Sequence, residues 1–343
     1  MSFLRLLASP LAPLYAAVIR ARNHTFDSNP ARAARVEAPV VSIGNLSTGG
    51  TGKTPLTLFL AEALQAGGWP NAIVSRGYGG QRAQDPMDVE PESNPRLTGD
   101  EPLLMARRLG AGRVVVARRR RNGALRALAS TPSPKVILLD DGFQHRTLHR
   151  DLDLLVLDGV RRWGNGRMLP LGDLREPQET AARAHALIVT RADRAPRADI
   201  QAWWARYGSG GPIFWVDFKL GSLRAWPSGA AQNLPWPDRP AFFAFCALGH
   251  PEAFFADLLL AGLPWVGTHA FRDHQPVSPR RFLLTQEEAR KAGADALICT
   301  EKDAVKLTPF HAAICGMPLY VAQQEVVGGE ALAAWVMERL SAR

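Results

Sequence analysis

A glycine-rich loop between a predicted strand and a predicted helix constrains this chain more than any other feature. It lies in PVVSIGNLSTGGTGKTP, residues 39–55, which opens with the β-branched residues of a buried strand and is followed by leucines at near-helical spacing. Strand, loop and helix in this order form a phosphate cradle, because the N–H groups of the loop and of the helix N-terminus point at phosphate oxygens. In such a loop Lys53 reaches the β- and γ-phosphates, and Thr54 offers a hydroxyl to Mg²⁺. The stretch therefore predicts a site for a nucleoside triphosphate.

One position of the loop departs from the usual pattern G-x-x-x-x-G-K-[ST]. Ser47 stands where that pattern has its first glycine, six residues before Lys53. The context of strand, loop and helix still favours nucleotide binding, and the alternative is a glycine-rich turn whose lysine is merely exposed. The predicted nucleotide-binding residues are Ser47, Thr48, Gly49, Gly50, Thr51, Gly52, Lys53 and Thr54.

A second predicted strand, residues 136–139, is fully apolar and is followed by Asp140 and Asp141. Carboxylates at the carboxyl end of a strand beside a phosphate loop meet the Mg²⁺ that the loop holds, as in a Walker B element. The predicted magnesium ligands are Thr54, Asp140 and Asp141, with Glu101 as a further ligand through water.

Strand and helix patterns alternate along most of the chain. This alternation predicts the α/β class, with a P-loop NTPase-like fold and a mostly parallel sheet flanked by helices. Around residues 218–239 the chain turns polar and rich in Pro and Trp, which predicts a linker. We therefore expect an N-terminal P-loop domain over residues 1–217 and a second, smaller α/β domain over residues 240–343.

The chain is basic, since 41 Lys and Arg residues against 32 Asp and Glu residues give it a net charge of +9. This charge favours an anionic partner, such as a phosphate-bearing small molecule or an anionic membrane surface. Four consecutive arginines, residues 118–121, belong either to a phosphate-binding surface or to a solvated helix face. No aromatic residues interleave with them, so we do not expect a nucleic acid partner. Three cysteines in apolar surroundings suggest a reducing compartment and no disulfide framework.

The N-terminal segment, residues 3–22, is apolar with a basic flank. Its uncharged run is shorter than the roughly 20 residues that a spanning helix needs, and it contains two prolines. The arginines that follow do not form a secretory cleavage site. Two interpretations are open: an amphipathic segment in a membrane interface, or an apolar helix packed on the domain.

Several strings of residues, spread over most of the chain, together resemble one family. They are SIGNLSTGGTGKTP at 42–55, SRGYGG at 75–80, TGDEP at 98–102, DDGFQHRTLHRDLD at 140–153, GNGRMLPLGDLREP at 164–177, FRDH at 271–274 and TEKDAVKL at 300–307. This set is far more specific than a P-loop alone, and Ser47 fits the family's own loop. The chain resembles the tetraacyldisaccharide 4′-kinases of lipid A biosynthesis.

The resemblance implies an ATP-dependent kinase with Mg²⁺ that phosphorylates the 4′-hydroxyl of a tetraacylated glucosamine disaccharide 1-phosphate to give lipid IVA. It also implies a peripheral or monotopic enzyme on the cytoplasmic face of a bacterial inner membrane. The expected partners are the lipid disaccharide monophosphate substrate and an anionic membrane surface. Neither a nucleic acid nor an obligate protein partner is expected.

The resemblance also suggests Asp100 as the base that takes the proton of the 4′-hydroxyl, with His274 tuning it and Lys53 holding the phosphates. A carboxylate at a helix start stays ionised, and an adjacent imidazole can orient it or accept its proton. The alternatives are a plain N-cap for Asp100 and a loop histidine for His274. The two residues lie on opposite sides of the predicted linker, so their cooperation requires the domains to close over substrate. The family's D-H-H motif reads Asp-His-Gln here, at residues 273–275.

Other polar residues in these strings are candidates for contacts with transferring or substrate phosphates, since a guanidinium fork matches phosphate oxygens. The candidates are Arg120, Arg121, Gln144 and Arg175. His145 and His149 have the spacing of a helical metal pair. No carboxylate or cysteine is placed to complete such a site, so we do not predict a metal there.

The alternative function is that of a regulatory GTPase or ATPase, because P-loops serve both classes. Residues 189–193, VTRAD, follow a predicted strand and resemble the guanine-reading N/T-K-x-D motif, with arginine in the place of lysine. This mismatch and the lack of a switch-type D-x-x-G motif favour the kinase. A non-catalytic basic binder is a third interpretation, against which the paired aspartates argue.

Overall fold

The computed structural model of the chain describes residues 11–81, 84–234, 236–272 and 275–342. These residues divide into two compact units. Unit 1 is formed by the described residues of Met1–Asp217 and Val326–Arg343, and unit 2 by those of Phe218–Glu325.

The sheet of unit 1 is built mainly from strands that are buried on both faces, as parallel strands covered by helices are. In chain order the strands are β1 (Val40–Gly44), β2 (Asn71–Ser75), β3 (Met87–Asp88), β4 (Val114–Val116), β5 (Val136–Asp140), β6 (Leu152–Asp158), β7 (Ala186–Thr190) and β8 (Ile213–Trp226). They pair in the order β8-β7-β6-β1-β5-β2-β4-β3, and the pairs are parallel except for β3 with β4. The strand that precedes the glycine-rich loop, β1, therefore lies between β5 and β6.

Helices flank this sheet and bury apolar residues against it. They are α1 (Leu11–Ser28), α2 (Lys53–Ala66), α3 (Pro95–Thr98), α4 (Asp100–Leu109), α5 (Arg120–Leu128) and α6 (Arg197–Tyr207), with 3-10 turns at Pro30–Arg32, Gln178–Arg183 and Ala192–Arg194. In α2, the helix after the glycine-rich loop, Leu56, Leu60 and Leu64 are fully buried. These leucines fix the start of α2 at the edge of the sheet where the loop lies.

Unit 2 contains a further set of parallel strands. Its elements are β9 (Ala231–Asn233), β10 (Phe242–Cys246), α7 (Pro251–Leu260), β11 (Trp265–Ala270), α8 (Pro279–Lys291), β12 (Ala296–Thr300), α9 (Glu301–Ala304), α10 (Pro309–Ala313) and β13 (Leu319–Val327). The parallel strands pair in the order β11-β10-β12-β13, and β9 pairs antiparallel with the last part of β8. A buried aromatic cluster, in which Phe245 contacts Phe271 and Phe282 edge to face, forms part of its core. The predicted α/β class is confirmed.

The segment predicted as a linker, residues 218–239, is partly strand. It contains the end of β8 and all of β9. The tryptophans that suggested a linker are packed: Trp226 lies against the aromatic cluster of unit 2, and the ring of Trp236 lies 5.2 Å from that of Tyr320. Composition alone does not distinguish an exposed Pro- and Trp-rich linker from aromatic residues at the margin of a core.

The last residues of the chain, predicted to belong to the second domain, belong instead to unit 1. They form α11 (Glu330–Ser341), which buries Leu332, Val336 and Leu340 and packs against α2. The ring of Trp335 lies 5.7 Å from that of Phe214. The spacing of apolar residues predicts that this helix has an apolar face, but it does not say which sheet the face covers.

The N-terminal helix α1 packs on unit 1, as one of the two interpretations of the sequence predicts. It is fastened to unit 1, since the hydroxyl of Tyr15 donates to the carbonyl of Arg175 at 2.9 Å and the buried Asn23 donates to Glu176. Residues 3–10 of the predicted segment lie outside the described residues. Within the described part of the chain, no helix has the length and apolar character needed to cross a membrane.

The first turn of α5 is capped by an imidazole. Arg119, the N-cap residue, makes no capping bond through its side chain. Instead, Nε2 of His145 accepts the backbone N–H of Arg120 at 3.2 Å, and the hydroxyl of Thr147 lies 2.9 Å from the same nitrogen. Burial and four nearby arginines lower the pKa of His145 to about 4. An accepting Nε2 requires the neutral ring, so the cap and the lowered pKa agree.

We predict that His145 weakens the fold in mild acid. The pKa of His145 is about 4 in the folded chain and about 6.5 in the unfolded chain. Between about pH 6.5 and pH 4 the unfolded state therefore binds one more proton than the folded state, and the free energy of unfolding falls as the pH falls. His145→Gln keeps a neutral acceptor for the helix. From pH 7 to pH 4 its free energy of unfolding should rise relative to that of the wild type by on the order of 2–3 kcal/mol. Urea unfolding at a series of pH values measures the difference. His24→Gln, at an exposed position of α1, is the control, and parallel curves for His145→Gln and the wild type would contradict the prediction.

Candidate active site

The glycine-rich loop follows β1 and leads into α2, so it lies at the carboxyl edge of the sheet beside the ends of β5 and β6. Ligands of open parallel sheets bind at this edge. Two hydrogen bonds hold the loop from outside. The N–H of Thr48 donates to the carbonyl of Asp173 at 2.7 Å, and the hydroxyl of Thr190 donates to the carbonyl of Thr51 at 3.1 Å. The loop is therefore anchored on both sides of Gly49 and Gly50.

Lys53, the first residue of α2, is held inside the loop. Its Nζ donates to Oδ1 of Asn45 at 3.2 Å and lies 3.5 Å from Oδ1 of Asp141, and only 13% of its side chain is exposed. The amide of the fully buried Asn45 in turn donates to the hydroxyl of Thr51 at 3.2 Å. The alternative of a merely exposed lysine is therefore wrong. Asn45 was missed at the sequence level, although it is the first residue after β1 in the string SIGN.

Asp140 ends β5 and is almost completely buried. The hydroxyl of Ser75, at the end of β2, donates to its Oδ2 at 2.9 Å. Burial, and then the charges of Glu101 and Asp141, raise the pKa of Asp140 to about 7. Ser75 was also missed, and the signal for it was its place as the first residue of the string SRGYGG.

Asp141 follows in a left-handed backbone conformation, with a φ of 50°. Arg175 donates from Nη1 to its Oδ2 at 2.7 Å, and Lys53 lies beside its Oδ1. Burial would raise the pKa of Asp141, but the charges of Lys53 and Arg175 outweigh burial and lower it. Two adjacent carboxylates therefore differ: Asp141 stays ionised, whereas Asp140 is readily protonated near pH 7.

The end of β1 touches the segment at the end of β5, residues 140–144, which we call the aspartate loop; the contact is at Gly44. A Cβ atom at this position would lie 2.6 Å from the backbone nitrogen of Phe143, so a side chain does not fit there. One residue further along each loop, the amide of Gln144 donates to the carbonyl of Asn45 at 2.9 Å. The N–H of Arg175 donates to the carbonyl of Leu46 at 2.7 Å. The structure thus brings two predicted residues, Gln144 and Arg175, to the phosphate loop.

Asp100 and Glu101 begin α4, which packs against α2. The N-cap of α4 is Gly99, so Asp100 is the first helical residue and the N-cap alternative is wrong. The strings SRGYGG and TGDEP approach each other closely at this helix start, since a Cβ atom at Gly99 would lie 2.7 Å from the carbonyl oxygen of Tyr78. The charge of Glu101 acts on Asp140, so the start of α4 lies near the end of β5.

The two predicted arginines of α5 have different surroundings. Arg120 is buried, and it donates to the carbonyl of Ala117 at 2.8 Å and to the carbonyl of Asp140 at 3.3 Å. Arg121 is exposed on the helix surface. Arg120 therefore braces the backbone of the aspartate loop, a role that the sequence did not suggest, and the solvated-face interpretation does not hold for it.

The histidines of the sequence analysis contribute little to this site. His145 caps α5, and Nε2 of His149 lies 3.6 Å from Oδ1 of Asp151. Over the ranges that the structure describes, no group of three or more His, Cys, Asp or Glu side chains could hold a metal ion by itself. His274, predicted as the partner of Asp100, lies outside the described residues.

The arrangement is suited to binding and transferring phosphate. The N-terminus of α2 directly follows the loop, and the ammonium of Lys53 lies between Asn45 and Asp141 beside it. Carboxylates that attract a divalent cation lie beside it, together with the guanidinium of Arg175.

Comparisons with known proteins agree on one family. The family model described as tetraacyldisaccharide-1-P 4′-kinase matches residues 4–341. A tetraacyldisaccharide 4′-kinase of Chromobacterium violaceum is 37% identical over 99% of this chain and 95% of its own length. One of Pseudomonas paraeruginosa is 37% identical over 97% of this chain and 92% of its own length.

A solved structure gives the same answer. The crystal structure of LpxK from Aquifex aeolicus in complex with ATP is 30% identical, covers 98% of this chain and 100% of its own, and superposes with a TM-score of 0.79. These matches favour the kinase over the regulatory GTPase or ATPase. The family predicted from the motifs is confirmed: the chain belongs to the tetraacyldisaccharide 4′-kinase family.

Proposed function

We propose that this chain is an ATP-dependent kinase that transfers the γ-phosphoryl group to the 4′-hydroxyl of a tetraacylated glucosamine disaccharide 1-phosphate, giving lipid IVA. Its membership of the family and its similarity to a structure in complex with ATP support this. The single observation that carries it is Lys53, which is held between Asn45 and Asp141 inside an anchored phosphate loop.

The nucleotide site consists of the loop from Ser47 to Thr54. Its N–H groups and the N-terminus of α2 would hold the β- and γ-phosphates, and Lys53 would neutralise part of their charge. Arg175 and Gln144, which reach the same loop, are placed to contact phosphates of the nucleotide or of the lipid. Arg121, which is exposed, would contact the phosphate of the substrate.

Mg²⁺ fits this site. Burial, and then the charges of the nearby Glu101 and Asp141, raise the pKa of Asp140 to about 7, so these carboxylates lie close enough to act on one another. Among the described residues, the buried Oδ1 of Asp141 accepts no hydrogen bond. Thr54, Asp140 and Asp141 would hold the ion, with Glu101 acting through water and phosphate oxygens completing the ligand set. Bound Mg²⁺ supplies neutralisation of the charge on the β- and γ-phosphates.

Asp100 is the proposed general base. In the transfer, the oxygen of the 4′-hydroxyl forms a bond to the γ-phosphorus, the bond from that phosphorus to the bridging oxygen breaks, and ADP leaves. The hydroxyl proton passes to the carboxylate of Asp100. This role is supported by its place in the first turn of α4, next to Glu101, whose charge acts on Asp140 at the end of β5.

We propose that the protein acts at the cytoplasmic face of a bacterial inner membrane, on an anionic surface. Two observations on α1 support it. Leu14 and Val18 lie one helical turn apart and are 63% and 57% exposed. The exposed Arg20 and Arg22 follow them, so an apolar face and a basic end lie on the same helix.

The function is tested by label transfer. With γ-labelled ATP and a tetraacyl disaccharide 1-phosphate in mixed micelles, the wild type should produce a labelled lipid, and GTP should be a poor donor. Lys53→Ala should lower the rate by about 100-fold or more, because it removes a charge that acts on the transferring group. The control Lys291→Ala, at an exposed position, should behave as wild type. Labelled inorganic phosphate without labelled lipid would refute the proposal.

The role of Asp100 is tested with Asp100→Asn. Asparagine has nearly the same size and shape as aspartate but takes no proton, so kcat should fall about 100-fold or more while KM for ATP changes little. Asp199→Asn, which alters a surface ion pair with Arg162, should retain activity. A kcat for Asp100→Asn within threefold of the wild type would reduce Asp100 to a structural residue.

Membrane attachment is tested by sedimentation with vesicles. The double variant Leu14→Glu, Val18→Glu should lower the fraction bound to phosphatidylglycerol vesicles by about tenfold or more, since it removes two apolar side chains from the interface. The double variant Leu283→Glu, Leu284→Glu, at exposed leucines of α8, makes the same change in charge and should bind as wild type. Equal binding by both variants would contradict the assignment to α1.

A further inference from the structure

The turn after β6 is fixed by a buried carboxylate. Asp158, the last residue of β6, is 1% exposed, and its Oδ1 accepts the N–H groups of Val160 at 2.9 Å and of Arg161 at 3.0 Å. Its Oδ2 pairs with Arg191. Because β6 pairs directly with β1, this turn lies at the same edge of the sheet as the phosphate loop.

The side chain of Arg161, which belongs to this turn, lies against Gly49 of the phosphate loop. A Cβ atom at Gly49 would lie 2.6 Å from Nη1 and 3.4 Å from Cζ of Arg161. The guanidinium therefore occupies the space into which a side chain at position 49 would project. A φ of 97° at Gly49 favours glycine there.

The charge of Arg161 is only loosely compensated. Its ion pair with Asp173 spans 3.9 Å, and the two side chains are 41% and 30% exposed. A long, exposed pair of this kind contributes little to stability. By contrast, Arg175 holds Asp141 at 2.7 Å. Arg161 can therefore leave Asp173 for a stronger anion at small cost.

We propose that Arg161 is a catalytic residue that contacts the γ-phosphoryl group of ATP during transfer, as an arginine finger supplied by the chain itself. This rests on the proposed function. The guanidinium lies over the third residue of the predicted loop, and the loop ends in the lysine that reaches the same phosphates. Its planar fork donates to two phosphate oxygens at once.

The contact has a defined task in the reaction. As the bond from the γ-phosphorus to the bridging oxygen breaks and the bond to the acceptor oxygen forms, charge spreads over the transferring group and the departing ADP. The guanidinium stabilises that charge by hydrogen bonds and keeps its own protons. Such arginines act in cis or in trans in other phosphoryl-transfer proteins.

Arg161→Ala tests the proposal against a matched neighbour. We expect kcat to fall about 100-fold or more, and Arg161→Lys, which keeps a charge but loses the fork, to recover part of the loss. Arg162→Ala is the control, because Arg162 pairs with Asp199 at 3.0 Å and lies over Trp163. It should stay within threefold of the wild type. If Arg161→Ala does not fold, as thermal unfolding would show, Arg161→Lys carries the test.

A binding experiment separates this proposal from the identity of the acceptor. Calorimetry with ADP and with an ATP analogue that has a nitrogen in place of the β-γ bridging oxygen reports the γ-phosphate directly. Arg161→Ala should weaken binding of the analogue about tenfold and leave binding of ADP within twofold. Equal losses for both nucleotides, or a kcat within threefold of the wild type, would overturn the role of Arg161. A wild type that binds both nucleotides normally but phosphorylates no lipid would instead overturn the proposed function.

Discussion

Lys53 and Arg175 hold the carboxylate of Asp141 from two sides, at 3.5 Å and 2.7 Å. The three groups come from three separate strings of the sequence, so these charge contacts join segments that are far apart in the chain. The same contacts make the pKa of Asp141 differ from that of the adjacent Asp140. The pKa of Asp141 is lowered, whereas burial and adjacent negative charge raise that of Asp140 to about 7. Neighbouring carboxylates whose pKa values are pushed apart are suited to different tasks in one site.

Local pattern was enough to predict the strands and loops that form the candidate site. The apolar runs of β1 and β5 predicted buried strands, and the residues after them predicted the phosphate loop and the paired aspartates. Asn45 and Ser75 were not found, because a polar residue at the end of a strand shows its partner only when the neighbouring strand is known. The buried position of Arg120 was not predicted either, because a run of arginines does not show which of its side chains is buried.

Helix α1 is connected to the aspartate loop by a chain of polar contacts. Asn23 donates to Glu176 at 2.9 Å, and Arg183 binds the same carboxylate at 2.7 Å. The guanidinium of Arg183 also donates to the carbonyl of Phe143 and lies 3.8 Å from the centre of its ring. Phe143 in turn touches Gly44 at the start of the phosphate loop. A helix with exposed apolar residues is therefore in continuous contact with the segment that carries Asp141.

Unit 1 is made from two segments that flank unit 2 in the sequence, and α11 packs against the helix that follows the phosphate loop. During translation, all of unit 2 is therefore synthesised before α11, the helix that covers α2. Domains generally fold in the order of their synthesis, but here the inserted unit is complete while the nucleotide-binding unit still lacks a helix. The phosphate loop is therefore synthesised long before the helix that covers α2.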